Sequence, residues 1–257
     1  MLIDTHCHLD AHYFPAGADV AIERARAAGV GAFVVIGVGP TLTPARQAVA
    51  LAQRRPDCFA VVGVHPHDAA VLDDAMFAEL DELAEDPRVV AIGEIGLDYH
   101  YMRSPIDVQK ATFRRLIGLG LRRHKPVVIH TREAPDDTIA ILSEERARDV
   151  GGIIHCFSED RRFAERALDL DFDLSFSGIV TFKTARAIQD VAAWAPGDRI
   201  LVETDSPYLA PIPFRGKKCE PAHVVYTARH VAELRREPFE DLAARTTENA
   251  RRRLGLG

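Results

Sequence analysis

The stretch LIDTHCH, residues 2–8, joins a short apolar run to two histidines, His6 and His8. Successive side chains of an extended strand point to opposite faces, so we expect His6 and His8 to share a face and Cys7 to point into the packing. Taken alone, an H-x-H pair is equally typical of a hydrogen-bonded strand end. The fold is decided by the recurrence of this pattern, an apolar run followed by a polar side chain, along the rest of the chain.

The apolar runs predict eight strands, at residues 2–3, 32–38, 59–64, 89–92, 127–129, 152–154, 174–176 and 200–202. Amphipathic segments between them predict helices that include 20–28, 43–54, 74–84, 105–123 and 163–170, with further helices across 222–254. Alternating strands and helices indicate a parallel sheet, and uniformly apolar strands are typical of a sheet covered on both faces. Eight such units in about 250 residues predict an α/β fold of the (β/α)₈ TIM-barrel type. No G-x-G-x-x-G opens the first helix, which disfavours a doubly wound open sheet, and we expect a single domain over residues 1–257.

The composition of the chain excludes several classes of protein. With 47% hydrophobic and 27% charged residues, the chain has globular proportions. The net charge of −6 argues against a broad basic surface that coats nucleic acid. No apolar run approaches the roughly 18 residues of a membrane helix, and no signal peptide is visible. The four cysteines form no C-x-x-C pair, which fits reduced thiols, so we expect a cytoplasmic protein without membrane contact.

Polar side chains follow most of the predicted strands. The carboxyl ends of barrel strands converge, and active sites are built there. Four histidines and two carboxylates at these ends form the predicted metal site: His6, His8, Glu94, His130, His155 and Asp205. Imidazoles and carboxylates bind divalent metals such as Zn²⁺ or Mn²⁺, and six ligands exceed what one tetrahedral ion needs. They suit two ions about 3.5–4 Å apart with Glu94 as a bridge, a geometry used in phosphate-ester hydrolysis.

These segments resemble the TatD family of metal-dependent deoxyribonucleases, within the amidohydrolase-like group of metal barrels. The resemblance is carried in family order by IDTHCHLD, GVHPHDA, GEIGLDYH, PVVIHTRE, IIHCFS, ETDSPYLAP, RGKKCEP and TTENARRRL, over residues 3–254. It implies one ion held by His6, His8, Glu94 and Asp205, and a second held by Glu94, His130 and His155. It also implies DNA as the substrate, single-stranded or attacked from a free 3′ end, with two divalent ions (Zn²⁺, Mg²⁺ or Mn²⁺) as cofactors. Two residues depart from the family pattern, Cys219 for a frequent Asn and Glu159 for a frequent Gly.

Several other residues are candidates for substrate contacts. We expect His65 to bind the substrate phosphate, the alternative being a histidine that supports the ligands or belongs to the core. Arg132 leaves its strand end on the same side as His130 and suits a phosphate oxygen, the alternative being a salt bridge to Glu133 or Asp136. Arg215 and Lys217 belong to the most basic stretch near a strand end, which could hold a nucleic-acid backbone or could be solvated surface.

The predicted reaction is metal-dependent hydrolysis of a phosphodiester by an activated water, without a protein nucleophile. Asp205 is expected to orient that water and accept its proton, with Glu94 as the second catalytic carboxylate. Two other functions stay open. The enzyme could cleave a carboxylic ester or amide, as some TatD-like proteins associated with removing D-amino acids from tRNA do, or the barrel could be a non-catalytic binding module. No obligatory protein partner is evident.

Overall fold

Strands and helices alternate throughout the computed structural model, which describes residues 1–256. The strands are β1 (Leu2–Cys7), β2 (Val30–Gly37), β3 (Cys58–Val62), β4 (Val89–Asp98), β5 (Val127–Arg132), β6 (Gly152–Ile154), β7 (Phe172–Phe176) and β8 (Ile200–Val202). The α-helices are α1 (Ala18–Ala27), α2 (Thr43–Arg54), α3 (Asp74–Leu83), α4 (Ile106–Arg123), α5 (Pro135–Glu144), α6 (Arg161–Asp169), α7 (Arg186–Trp194), α8 (Val224–Arg235) and α9 (Phe239–Leu254). In residues 1–256, no helix is long and apolar enough to cross a membrane.

The strands belong to one eight-stranded sheet in the order β1 to β8. The first strand meets the segment after the last one through a parallel bridge between Cys7 and Ser206. A helix follows every strand, and sequential parallel order with a link from last to first is the topology of a (β/α)₈ barrel. The predicted fold class is confirmed.

The described chain divides into two compact units. The terminal unit comprises residues 1–35, 155–164 and 173–256, and the central unit comprises residues 36–154 and 165–172. The prediction of a single domain over residues 1–257 stays a prediction.

The terminal unit is built around β1, β7 and β8, whose residues are buried along their length. Helix α9 packs against β1 and β8. It is also held by charge, because Arg253 donates two hydrogen bonds to the fully buried carboxylate of Asp173, at 2.9 and 3.0 Å. Arg199 donates a third, at 2.5 Å, so this buried carboxylate has partners that compensate for its desolvation.

The central unit contains β3, β4 and β5, and β4 is buried at all ten of its residues. Glu94 lies inside β4 and His130 inside β5, whereas the sequence placed both at strand ends. The two strands run further than their apolar residues suggested because they keep pairing as far as Asp98 and Arg132. Polar side chains are therefore carried on regular strand backbone, which fixes their direction better than a loop does.

Gly96 lets β4 and β5 approach closely beside His130. Its φ is +141°, a conformation that favours glycine, and a Cβ atom there would stand 1.9 Å from the carbonyl oxygen of His130. Any side chain at position 96 would push β5 away from β4 at the point where His130 is held.

We predict that Gly96→Ala lowers the free energy of unfolding by roughly 1–3 kcal/mol, the usual range for overpacking, or prevents folding. Gly118→Ala is the matched control, because Gly118 lies in α4 and a Cβ atom added there would have its nearest neighbour 3.9 Å away. It should stabilise the protein by about 0.5–1 kcal/mol, as alanine does in a helix. Urea unfolding of the two variants measures the difference, and equal stabilities would contradict this account of β4.

Candidate metal centre

Side chains of the terminal unit that could hold a metal ion form a group that we call the terminal cluster: His6, His8, His155, Glu203 and Asp205. The imidazole rings of His6 and His155 stack with centroids 3.7 Å apart. The Oδ1 atom of Asp205 lies 3.7 Å from Nε2 of His6 and 3.5 Å from Nε2 of His8. The potential ligand atoms fall into two overlapping triplets, and within each triplet they lie within 4.8 Å of one another.

Glu203 is a member of this cluster that the sequence did not select. Its Oε1 atom lies 2.9 Å from Nδ1 of His155 and accepts a hydrogen bond from the backbone N–H of Cys156 at 2.7 Å. Glu203 belongs to the stretch Glu203-Thr204-Asp205 that follows β8, and residues two apart in extended chain share a face. That alternation could have identified Glu203 beside Asp205.

Hydrogen bonds from β1 hold the segment that carries Glu203 and Asp205. The carboxyl group of Asp4 accepts from the backbone N–H of Thr204 at 2.9 Å and from its hydroxyl at 2.6 Å. Backbone bonds add to this, from Asp205 N–H to the His6 carbonyl and from His8 N–H to the Ser206 carbonyl, each 2.9 Å. The H-x-H pair and the two carboxylates are therefore positioned by one shared network.

The terminal cluster has the donor set of a divalent-metal site. Oε2 of Glu203 is buried and accepts no hydrogen bond from residues 1–256. Burying a carboxylate oxygen without a partner costs free energy unless a cation compensates for the lost hydration. Three imidazoles and two carboxylates are ligands that Zn²⁺ and Mn²⁺ accept. Burial acts to raise the pKa of Asp205, but a hydrogen bond from His8 and the neighbouring imidazoles hold it below its ordinary value. The Asp205 carboxylate is therefore ionised at neutral pH, as metal binding requires.

A second group, the central cluster, consists of His65, Glu94 and His130 in the central unit. Oε1 of Glu94 lies 2.9 Å from Nδ1 of His130 and 3.4 Å from Nε2 of His65. Burial lowers the pKa of His65 to about 4, so its imidazole is neutral at pH 7 and able to bind a metal. His65 was expected to bind the substrate phosphate, and the structure places it among potential metal ligands.

His130 faces a carboxylate at each ring nitrogen. Nδ1 faces Glu94, and Nε2 lies 3.1 Å from Oδ2 of Asp98. A neutral imidazole has one N–H, so it can donate to only one of these acceptors. A divalent cation bound by His130 and Glu94 would remove this conflict, and the central cluster therefore also fits a metal.

Asp98, the last residue of β4, lies beside the central cluster. Its Oδ2 atom also lies 3.0 Å from Nε2 of His67, and its Oδ1 accepts from the backbone N–H groups of His100 and Tyr101. Burial alone would raise the pKa of Asp98, but hydrogen bonds from His130, the Tyr101 backbone and His67 hold it well below the ordinary value. Asp98 is thus a permanent carboxylate that orients two histidines.

The remaining sequence-predicted residues lie in different surroundings. The guanidinium of Arg132 stands 4.7 Å over the ring of Tyr101, while Glu133 and Asp136, its predicted alternative partners, contact His100 and Arg166. Arg215 stands 4.4 Å over the ring of Phe182.

Lys217 is exposed, as expected for a backbone contact or for solvated surface. Cys219, one of the two departures from the family pattern, is buried with its sulfur 4.0 Å from the Thr204 carbonyl oxygen. It therefore packs against the backbone of the segment that carries Glu203 and Asp205. Glu159 is half-buried.

We predict that Glu203→Gln weakens binding of Mn²⁺ or Zn²⁺ by about 10- to 100-fold, as loss of a ligand-orienting group does. The cause is the loss of the carboxylate charge that faces His155. Glu79→Gln, which removes a surface partner of Arg46, is the control and should bind metal like the parent. Calorimetric titration of chelator-treated protein measures both, and parental affinity in the Glu203 variant would remove Glu203 from the site.

Comparisons of the chain with a family model and with known proteins point to the same family. The model of the TatD related DNase family matches residues 3–255. The chain is 44% identical to the uncharacterized metal-dependent hydrolase YabD of Bacillus subtilis (strain 168), over 98% of each chain. It is 31% identical to the 3'-5' ssDNA/RNA exonuclease TatD of Klebsiella pneumoniae (strain 342), over 99% of this chain and 98% of the relative.

A solved structure agrees with these relatives. The crystal structure of YJJV, a TatD homologue from Escherichia coli K12, superposes with a TM-score of 0.93 at 29% identity and covers 100% of this chain and 98% of its own. The family model matches nearly the whole chain, and the structure contains two clusters of side chains that could hold a metal ion. The chain belongs to the TatD family of metal-dependent hydrolases.

Proposed function

We propose that this hydrolase cleaves phosphodiester bonds of DNA, from a free 3′ end or within single strands, with two divalent ions. The observation that carries the proposal is that this one chain contains the terminal cluster and the central cluster, each made of side chains that could hold a metal ion. Phosphodiester hydrolysis is a reaction that pairs of ions serve, because they stabilise both the attacking and the leaving oxygen. The Klebsiella pneumoniae relative, named as an exonuclease of single-stranded DNA and RNA, supports the choice of substrate.

We assign His6, His8 and Asp205 to the first ion, and Glu94 and His130 to the second. The family resemblance adds Glu94 to the first ion as a bridge and His155 to the second. The contacts of His155 with His6 and Glu203 also suit a role beside the first ion, so its assignment stays a prediction. Bound Zn²⁺, Mg²⁺ or Mn²⁺ would supply an activated water at neutral pH.

The chain's own residues then act on protons and phosphate. Asp205, ionised and in contact with His6 and His8, is the group that we expect to accept the proton of the attacking water. The guanidinium of Arg132 would bind a phosphate oxygen, as would His65 where it does not bind a metal. Arg215 and Lys217 would hold the nucleic-acid backbone further from the bond that is cleaved. The four cysteines are thiols in the structure, which supports a reducing, cytoplasmic setting.

A nuclease assay tests the proposed function. The parent protein with Mg²⁺, Mn²⁺ or Zn²⁺ should cleave a single-stranded oligonucleotide, and Arg132→Ala should cleave it more slowly and with a shallower salt dependence, because one phosphate contact is lost. Arg122→Ala is the control, since Arg122 lies on α4 and pairs with Asp81.

Two results would contradict the proposal. One is the absence of phosphodiester cleavage with all three metals, and the other is an unchanged salt slope in the Arg132 variant together with cleavage of a carboxylic ester or amide. Hydrolysis of D-aminoacyl-tRNA by the parent would select the amide-or-ester alternative, on the same metal ligands.

A substitution at Asp205 separates chemistry from binding. Asp205→Asn keeps the size of the side chain but removes the charge and the proton acceptor, so kcat should fall by at least about 10²-fold. Oligonucleotide affinity should stay near that of the parent, because the contacts to phosphate are unchanged. Metal content is measured on the same samples, and Asp198→Asn, at an exposed position, is the control. Turnover at the parental rate would remove Asp205 from the mechanism.

A further inference from the structure

Two tyrosines form an exposed aromatic pair beside the terminal cluster. The rings of Tyr13 and Tyr208 meet edge to face with centroids 5.8 Å apart, and their hydroxyl oxygens are 2.5 Å apart. Tyr208 nevertheless leaves 49% of its surface accessible, so the pairing with Tyr13 covers only part of the ring. An aromatic ring that is held in place and still half-exposed is suited to receive another flat, apolar group.

The position of this pair is fixed relative to potential metal ligands. The backbone N–H of Tyr208 donates to the carbonyl oxygen of Asp205 at 2.8 Å, so the ring stands on the turn that presents the Asp205 carboxylate. The ring of Tyr208 also lies edge to face with that of His8, with centroids 6.2 Å apart. A group stacked on Tyr208 would therefore lie within one nucleotide's length of the terminal cluster.

Positive charge lies on the same part of the terminal unit. The backbone N–H of Cys219 bonds to the carbonyl oxygen of Pro207, next to Tyr208 in the chain, and this brings the stretch Arg215–Lys218 back to the tyrosine pair. The ammonium of Lys218 stands 4.2 Å over the ring of Phe14, which follows Tyr13 in the chain. Exposed aromatic rings with neighbouring cations are typical of surfaces that bind single-stranded nucleic acid, where bases stack and phosphates pair with lysine.

We propose that Tyr13 and Tyr208 form a stacking platform for one unpaired nucleobase of the substrate, next to the phosphodiester that is cleaved. The inference rests on the proposed function and adds a binding residue to it. A base in duplex DNA is stacked on its neighbours, so only an unpaired or terminal nucleotide can lay its face on Tyr208. The platform would thus select single-stranded ends by the face of the base and not by its hydrogen-bonding edge.

The experiment compares binding of two single-stranded oligothymidylates with phosphorothioate linkages, one complete and one with abasic sugars at its terminal positions. The parent should bind the complete oligonucleotide at least about fivefold more tightly, the lower end of what one stacked base contributes. Tyr208→Leu should lose this preference, whereas Tyr208→Phe, which keeps the ring, should retain most of it. Tyr226→Leu removes another exposed tyrosine, on α8, and should bind like the parent.

Cleavage of the matching phosphodiester oligonucleotide is measured separately. Base-dependent binding that Tyr208→Leu abolishes supports the platform even where the parent cleaves no DNA, a result that would overturn only the proposed function. A parent that binds complete and abasic oligonucleotides equally would overturn the platform, as would a Tyr208→Leu variant with the parental preference, whatever the cleavage rates. Loss of affinity for both oligonucleotides in Tyr208→Leu would also overturn it, since the ring would then serve the loop and not a base.

Discussion

The terminal cluster depends on the buried carboxyl group of Asp4. This side chain is fully inaccessible, and it accepts two hydrogen bonds from Thr204, one from the backbone and one from the hydroxyl. Burial raises the pKa of Asp4 to about 8, against the effect of the hydrogen bonds from Thr204. A buried acid is tolerated only where such partners surround it, so β1 and the segment after β8 are held in one register. His6, His8, Glu203 and Asp205 owe their common location to that register.

The residues of the central cluster are positioned by different contacts. Its ligands come from regular strand backbone and the turn after β3, and Asp98 fixes His130 and His67 through their Nε2 atoms. Gly96 permits the close approach of β4 and β5 that brings Glu94 and His130 within 2.9 Å. In the central cluster Asp98, which lies outside the candidate ligand set, orients His130, an arrangement that raises the basicity of a ligating histidine.

Much of this could be predicted because strand periodicity and ligand chemistry act locally. The apolar runs predicted all eight strands, and the residues after them include most members of both clusters. The missed residues depend on tertiary contacts. Alternation suggests Glu203 beside Asp205, but its contact with His155 appears only in the fold, and the pairing of β4 with β5 as far as Asp98 cannot be derived from an apolar run that ends at Ile92. The grouping of His65 with Glu94 has the same origin, because β3 and β4 are neighbours only in the folded sheet.

The central claim is that the two clusters hold divalent ions, and anomalous diffraction from crystals grown with Mn²⁺ or Zn²⁺ tests it most directly. Data collected on both sides of the metal absorption edge should show two peaks per chain, one bonded to His6, His8 and Asp205 and the other to Glu94 and His130. A structure in which these side chains keep their mutual hydrogen bonds at saturating metal, with no anomalous peak beside either cluster, would contradict the account.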